Sequence, residues 1–193
     1  MDNILLFLLF FIFVVFQRAI ELFVARKNEK WMKDQGALEF GSNHYQYMVF
    51  MHALFFVFFF IEKITINRDV PQFWPLLLSV FVFTQIMRFW VISSLGKYWN
   101  TKILVLPNVN VIRKGPYRFI KHPNYVVVTL ELIVVPLLFG AYFTAILFTI
   151  LNLLMLSVRI PAEEKALNEL TEYEGSFQSC NRFLPKLLNK YDN

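Results

Sequence analysis

The chain has 193 residues, of which 57% are hydrophobic and only 17% charged, with 23 phenylalanines, a mean hydropathy of +0.49 and a net charge of +5. A soluble domain carries about 25% charged residues, and the apolar residues here fall in runs near bilayer length, which excludes an ordinary soluble core. The single cysteine, Cys180, excludes an internal disulfide framework and a multi-cysteine metal site.

The composition predicts an all-α, polytopic membrane protein forming one domain, with about five transmembrane helices and an amphipathic C-terminal helix. Alternating ten-residue strands are absent, which argues against an outer-membrane barrel. The charge of +5 fits juxtamembrane Lys and Arg rather than a nucleic-acid surface. Zinc spacing, a Walker loop and Gly-x-Gly-x-x-Gly are all missing, so neither metal nor nucleotide chemistry is expected from those motifs.

Ile4 to Val24 reads as the first span. Asp2 replaces the basic n-region of a signal peptide, and no small-residue cleavage site follows. Arg18 and Glu21 stand three apart and pair on one helix face. Residues 25–44 are polar, and Gly36 and Gly41 predict an irregular loop holding His44. Tyr45 to Ile61, with a possible extension to Ile66, is the second span. It contains His52, whose ordinary role on such a helix is hydrogen-bonded packing. Residues 62–72 form a short connection.

Phe73 to Leu95 is the third span. Arg88 within it lies about 10 Å inside the Leu95 end at 1.5 Å per residue. An arginine at that depth needs protein, water or a partner. Residues 96–122 are polar and broken by Gly96, Pro107, Gly115 and Pro116. Tyr125 to Phe139 and Ala141 to Val158 are the fourth and fifth spans, joined at Gly140 and short for two full crossings. Glu131 is the other isolated membrane charge, available either to neutralise Arg88 or to bind a substrate. From Pro161 onward Leu167, Leu170, Phe177, Leu184 and Leu187 mark an interfacial helix and tail.

Lys and Arg number four in 25–44, six in 96–122 and two in 62–72. The positive-inside rule then puts the first two stretches and the C-terminus in the cytoplasm and the N-terminus outside. Both polar stretches able to carry chemistry thus share one face. In the first, Gly115-Pro116 is a turn signal. His122-Pro123 holds His122 out of the helical region and starts the fourth helix at Pro123. The free amides of that helix start favour an anionic group. In the second stretch, Arg159 and Glu163 share a face if the helix passes Pro161. A cation and an anion so placed suit a zwitterion, with Glu163 taking an ammonium and Arg159 a carboxylate.

Gly115-x-Tyr117-x4-His122-Pro123-x-Tyr125, followed by Arg159-x3-Glu163-Glu164, resembles the isoprenylcysteine carboxyl methyltransferase family, over about Arg88 to Leu188. The resemblance implies an integral-membrane enzyme using S-adenosyl-L-methionine without a Rossmann domain. It implies that Val109, Asn110, Val111 and Ile112 line the adenosyl side, that Tyr117, His122, Pro123, Asn124 and Tyr125 contact the cofactor, and that Glu163 holds its ammonium. It implies a catalytic orienting role for Arg88, eight residues before Gly96, and places Arg159 toward the substrate. The region between Gly96 and Val109 matches the family poorly, and only Lys102 is carried over there.

The implied reaction is O-methylation of a lipophilic acceptor, either an isoprenylcysteine-like carboxylate or a long-chain alkylpyrone-type hydroxyl. The acceptor arrives through the membrane lipid. Methyl transfer needs alignment and desolvation more than a strong base. A reductase of the steroid 5α-reductase type, with NADPH, is the competing enzyme reading, and a non-enzymatic scaffold or transporter is the third.

Overall fold

A computed structural model describes residues 3–178 and 180–185. Six α-helices and one two-stranded sheet follow in the order α1 Asn3–Asp34, β1 Leu38–Phe40, α2 Ser42–Ile66, α3 Trp74–Leu95, β2 Ile103–Val105, α4 Pro123–Leu137, α5 Tyr142–Leu170 and α6 Tyr173–Phe177. Short 3-10 turns occupy Gly96–Tyr98 and Gly115–Arg118. The all-α membrane architecture is present.

Four of the helices, α1, α2, α3 and α5, are long and apolar enough to cross a bilayer. The fifth, α4, is a shorter apolar helix. At 15 residues, α4 spans about 22 Å, short of a hydrocarbon core of about 30 Å.

Several expected boundaries shift for local reasons. The first helix does not stop at Val24. It continues to Asp34 because Ala25, Asn28 and Met32 recur at helical spacing and are buried, and because Lys33 and Glu29 pair at i,i+4, 2.7 Å apart. Residues 25–34 are therefore helix, not loop. His44 lies in the first turn of α2 rather than in a loop. The antiparallel pairing of β1 with β2, Leu38 opposite Val105, was not anticipated. Strands of three residues carry too little alternation to be seen in sequence.

No separate amphipathic helix begins at Pro161. Helix α5 runs straight through it to Leu170. Leu167 and Leu170 pack against Ile103 and Val105, and Phe177 packs with Tyr173 and Cys180, so these side chains face protein rather than a lipid interface. Leu184 is exposed, and Leu187 lies outside the described residues.

The core is phenylalanine-rich. Phe7 of α1 meets Phe59 of α2 at 5.2 Å and Phe139 at 5.3 Å, both edge-on, a geometry that aromatic quadrupoles favour. Helix α4 sits innermost, packed against α3 and α5. Its Val127, Glu131, Leu132, Val134 and Val135 are all buried.

The helix ends sort into two groups. At one end, Asn3 bonds Asp69 at 3.4 Å and Arg68 donates to the Gly140 carbonyl at 3.1 Å. There Glu62 accepts from the amides of Phe143 and Thr144 at 3.1 and 2.7 Å, satisfying two orphan donors at the start of α5. At the other end, Asn28 donates to the Gly96 and Trp99 carbonyls, and the Asn108 amide donates to the Leu170 carbonyl. Both chemistry-bearing stretches lie at this second end.

Candidate functional site

Three segments converge at that end. The 113–125 stretch is held against α3 at Gly115, whose φ is +54°. A Cβ there would lie 2.1 Å from Ser94 Oγ and 2.8 Å from the Trp90 indole nitrogen, so only glycine fits both the left-handed backbone and the space. The turn Gly115–Arg118 then buries Pro116 and Tyr117. Pro123 opens α4 and lines neither cavity described below. The chain after α6 closes over this stretch, with the Lys121 and His122 amides donating to the Asn181 and Arg182 carbonyls at 3.0 Å.

Because α5 continues past Pro161, Arg159 and Glu163 fall one turn apart on one face. Both engage Tyr125 of α4. Arg159 Nε donates to the Tyr125 hydroxyl at 2.9 Å, and that hydroxyl donates to Glu163 Oε2. Arg159 Nη2 donates to the Thr101 carbonyl at 2.6 Å. Two donor and acceptor atoms in this cluster have no protein partner. Arg159 is 4% exposed, yet its Nη1 is buried with no partner. Glu163 Oε1 has none among the described residues.

The neighbouring Glu164 points elsewhere. It accepts from His122 Nε2 at 2.9 Å and from Arg182 Nε at 3.0 Å. A carboxylate only accepts, so His122 Nε2 carries a proton. Burial raises the Tyr117 phenol above its ordinary pKa, with the Glu163 carboxylate adding to the shift; Tyr117 stays neutral.

Two adjoining cavities meet at these residues. The smaller, about 150 Å³, is lined by Val109, Asn110, Val111, Ile112, Tyr117, His122 and Glu163, with Tyr173 and Phe177 closing its far wall. The larger, about 530 Å³, shares Tyr117, His122 and Glu163 and adds Asn124, Tyr125 and Arg159 before running into the apolar helix interior. The sequence-predicted site residues other than Pro123 thus border one or both cavities. The unpartnered buried atoms Asn124 Oδ1 and Tyr173 OH lie in the same region.

Arg88 and Glu131 line the deep part of the larger cavity. Arg88 Nε and Nη2 donate to Glu131, the former at 2.8 Å, and Nη1 donates to Glu21 at 2.9 Å. Glu131 also accepts from Gln85 at 2.8 Å and pairs with Arg18 at 3.0 Å. Of the two expected roles of Glu131, the neutralisation of Arg88 is the contact seen, and four donors share its two oxygens. Arg88 keeps two of its five N–H groups.

Arg18 and Glu21, read as a local pair, are joined at 2.6 Å and also complete this buried network. No sequence spacing links residues 18 to 21 with 88 and 131; only the packing of α1 against α3 and α4 does so. Lys102 lines the larger cavity, and its ammonium pairs with Glu29 at 2.8 Å and with Glu39. Those hydrogen bonds, with Glu29 foremost, raise its pKa. Among the described residues no group of three or more His, Cys, Asp or Glu has metal-binding geometry.

Gly115→Ala is expected to push the 113–125 stretch away from α3. The variant should still accumulate in membranes but melt at a lower temperature, which a thermal-shift assay on detergent-purified protein would show.

Comparison with known proteins agrees with the geometry. The model of the isoprenylcysteine carboxyl methyltransferase (ICMT) family matches residues 76–169. YpbQ of Bacillus subtilis (strain 168), an uncharacterized protein, is 49% identical over 164 residues, 85% of this chain and 98% of YpbQ. An uncharacterized protein of Haemophilus influenzae (strain ATCC 51907 / DSM 11121 / KW20 / Rd) is 30% identical over 154 residues, 79% of this chain and 90% of that one.

Proposed function

This chain belongs to the isoprenylcysteine carboxyl methyltransferase family, a family of membrane methyltransferases, and from that premise we propose that it is an S-adenosyl-L-methionine-dependent O-methyltransferase acting on a lipophilic acceptor. The observation that carries the reading is the junction of the two cavities. There a carboxylate oxygen of Glu163 and the buried Nη1 of Arg159 are left without protein partners, on either side of Tyr125.

These residues fit the cofactor's chemistry. The unpartnered Glu163 oxygen suits its ammonium, and charge-assisted hydrogen bonds of this kind are about twice as strong as neutral ones. The smaller cavity, walled by Val109 to Ile112, Tyr173 and Phe177, offers apolar and aromatic surface to an adenine. Bound there, the cofactor supplies an electrophilic sulfonium methyl.

The protein's own contribution is placement. Arg159, fixed through Nε and Nη2, presents Nη1 to the acceptor oxygen and holds it in line for displacement. Tyr125 couples Arg159 to Glu163, so the two ligand-binding groups are set in one geometry. The apolar walls of the larger cavity exclude water, which strengthens these contacts and suits an acceptor arriving from lipid. Arg88, anchored by Glu21 and Glu131, orients the acceptor from the cavity floor with its two spare N–H groups. The acceptor is an isoprenylcysteine-like carboxylate or a long-chain alkylpyrone-type hydroxyl. The site end of the bundle carries the larger share of Lys and Arg, so we place it in the cytoplasm and the N-terminus outside.

The test is thermal stability in detergent. A ligand that binds only the native state raises its stability. S-adenosylhomocysteine is expected to raise the melting temperature and NADPH to leave it unchanged. Stabilisation by NADPH alone would overturn the proposal. A 14 Da gain on lipids extracted from cells carrying the protein, absent without it, would identify the product.

A further inference from the structure

Midway along the larger cavity, its apolar walls are interrupted by two side chains outside the Arg159–Tyr125–Glu163 cluster. One is His52 of α2 and the other Asn152 of α5, and both line the cavity. The two helices run antiparallel and in contact, with Phe55 and Phe148 meeting edge-on at 5.5 Å. His52 stands one turn from Phe55 toward the site end, and Asn152 one turn from Phe148 in the same direction. Counted from the Phe55–Phe148 contact, both stand at about the same level, about 10 Å along α5 from Arg159.

Their neighbours decide which atoms remain available. His52 Nδ1 lies 2.8 Å from the Met48 carbonyl oxygen. A carbonyl only accepts, so Nδ1 carries the proton and a neutral ring presents Nε2 as a bare acceptor. The Thr129 hydroxyl gives its proton to the Tyr125 carbonyl at 2.8 Å. Its oxygen therefore accepts from the facing Asn152 atom at 2.9 Å, which must be the amide nitrogen. That leaves Asn152 Oδ1, on a residue 2% exposed, as a second bare acceptor. Neither atom has a partner among the described residues. Both residues line the cavity, and an acceptor left without a donor where apolar walls displace water is costly.

We propose that His52 and Asn152 form a specificity site that receives a hydrogen-bond donor, an O–H or N–H, carried by the lipophilic acceptor. The proposal rests on the reading that the larger cavity holds that acceptor. It adds that a purely hydrocarbon tail is disfavoured at this level. Sites built to bond a hydroxyl discriminate strongly against analogues lacking it, because their own polar groups are then left unpaired.

The probes are 8-hydroxyhexadecanoic acid and its 8-methoxy analogue, whose carboxylate suits Arg159 and whose substituent lies about 10 Å along the chain. Binding is measured on the detergent-purified protein saturated with S-adenosylhomocysteine. The hydroxy acid is expected to bind at least about ten-fold more tightly. His52→Phe combined with Asn152→Leu should bring the two affinities together, and His52→Gln, which restores an acceptor, should recover part of the difference. Stabilisation by S-adenosylhomocysteine, expected in every variant, reports folding and the cofactor site separately. Equal affinities in the unmodified protein, as would follow if water bridged the two acceptors, would overturn the proposal, as would a preference that survives the double substitution. Loss of the S-adenosylhomocysteine response in the unmodified protein would count against the methyltransferase reading instead.

Discussion

Glu163→Gln should abolish detectable methyl transfer while leaving the protein folded in the membrane. The substitution keeps the size of the side chain and an oxygen for the Tyr125 hydroxyl, so Arg159 stays anchored through Tyr125 and Thr101. What it removes is the negative charge facing the two cavities. A hydrogen bond to a charged group contributes about 1.5–3 kcal/mol, equivalent to about a 10- to 100-fold loss of cofactor affinity. Misplacement of the methyl relative to the acceptor adds to that loss. Calorimetric titration with S-adenosylhomocysteine gives the binding part, and initial rates at saturating cofactor give the remainder. Lys165→Ala, two residues away but exposed and paired only with Glu169 at 3.8 Å, should change neither. Undiminished cofactor binding in Glu163→Gln would remove the central assignment.

The second large effect belongs to Arg88. Removing it alone leaves Glu131, 5% exposed, beside Arg18 and Gln85 only. Breaking a buried pair in this way costs about 3–5 kcal/mol, so Arg88→Ala should unfold at markedly lower temperature. Replacing both partners, as Arg88→Met with Glu131→Leu, removes one positive and one negative charge together. Arg18 and Glu21 remain as a neutral pair at 2.6 Å. The double variant should recover most of the lost stability, since apolar replacements of a buried pair are often neutral or better.

Activity separates structure from chemistry. If Arg88 orients the acceptor, the double variant is stable, binds S-adenosylhomocysteine normally and does not transfer methyl. Full activity in that variant would reduce Arg88 to a structural residue.

The membrane class was legible in the sequence because the span signal is local. Long apolar runs and a low charged fraction suffice to report it. The 113–125 stretch was legible for a similar reason, since glycine and proline impose backbone conformation on their immediate neighbours. Continuation of α1 past Val24 was missed although the signal existed, in the helical spacing of Ala25, Asn28 and Met32. It was masked by the polar residues between them. The short α4 was foreshadowed by the brevity of the last two spans.

What the sequence by itself determined was the inventory: an α-helical membrane protein, two polar stretches, and isolated charges at Arg88 and Glu131 that each demanded a partner. Burying a charge in lipid is so costly that the need for a partner can be read from one position. Which partner meets it cannot, because that depends on how helices distant in sequence pack. Only the tertiary structure joined Arg18 and Glu21 to Arg88 and Glu131, gave Lys102 to Glu29 and Glu39, and set His52 level with Asn152. The first two of those choices are made by ion pairs and hydrogen bonds over a few ångströms and the last by the packing of Phe55 on Phe148, all between residues that no sequence period connects.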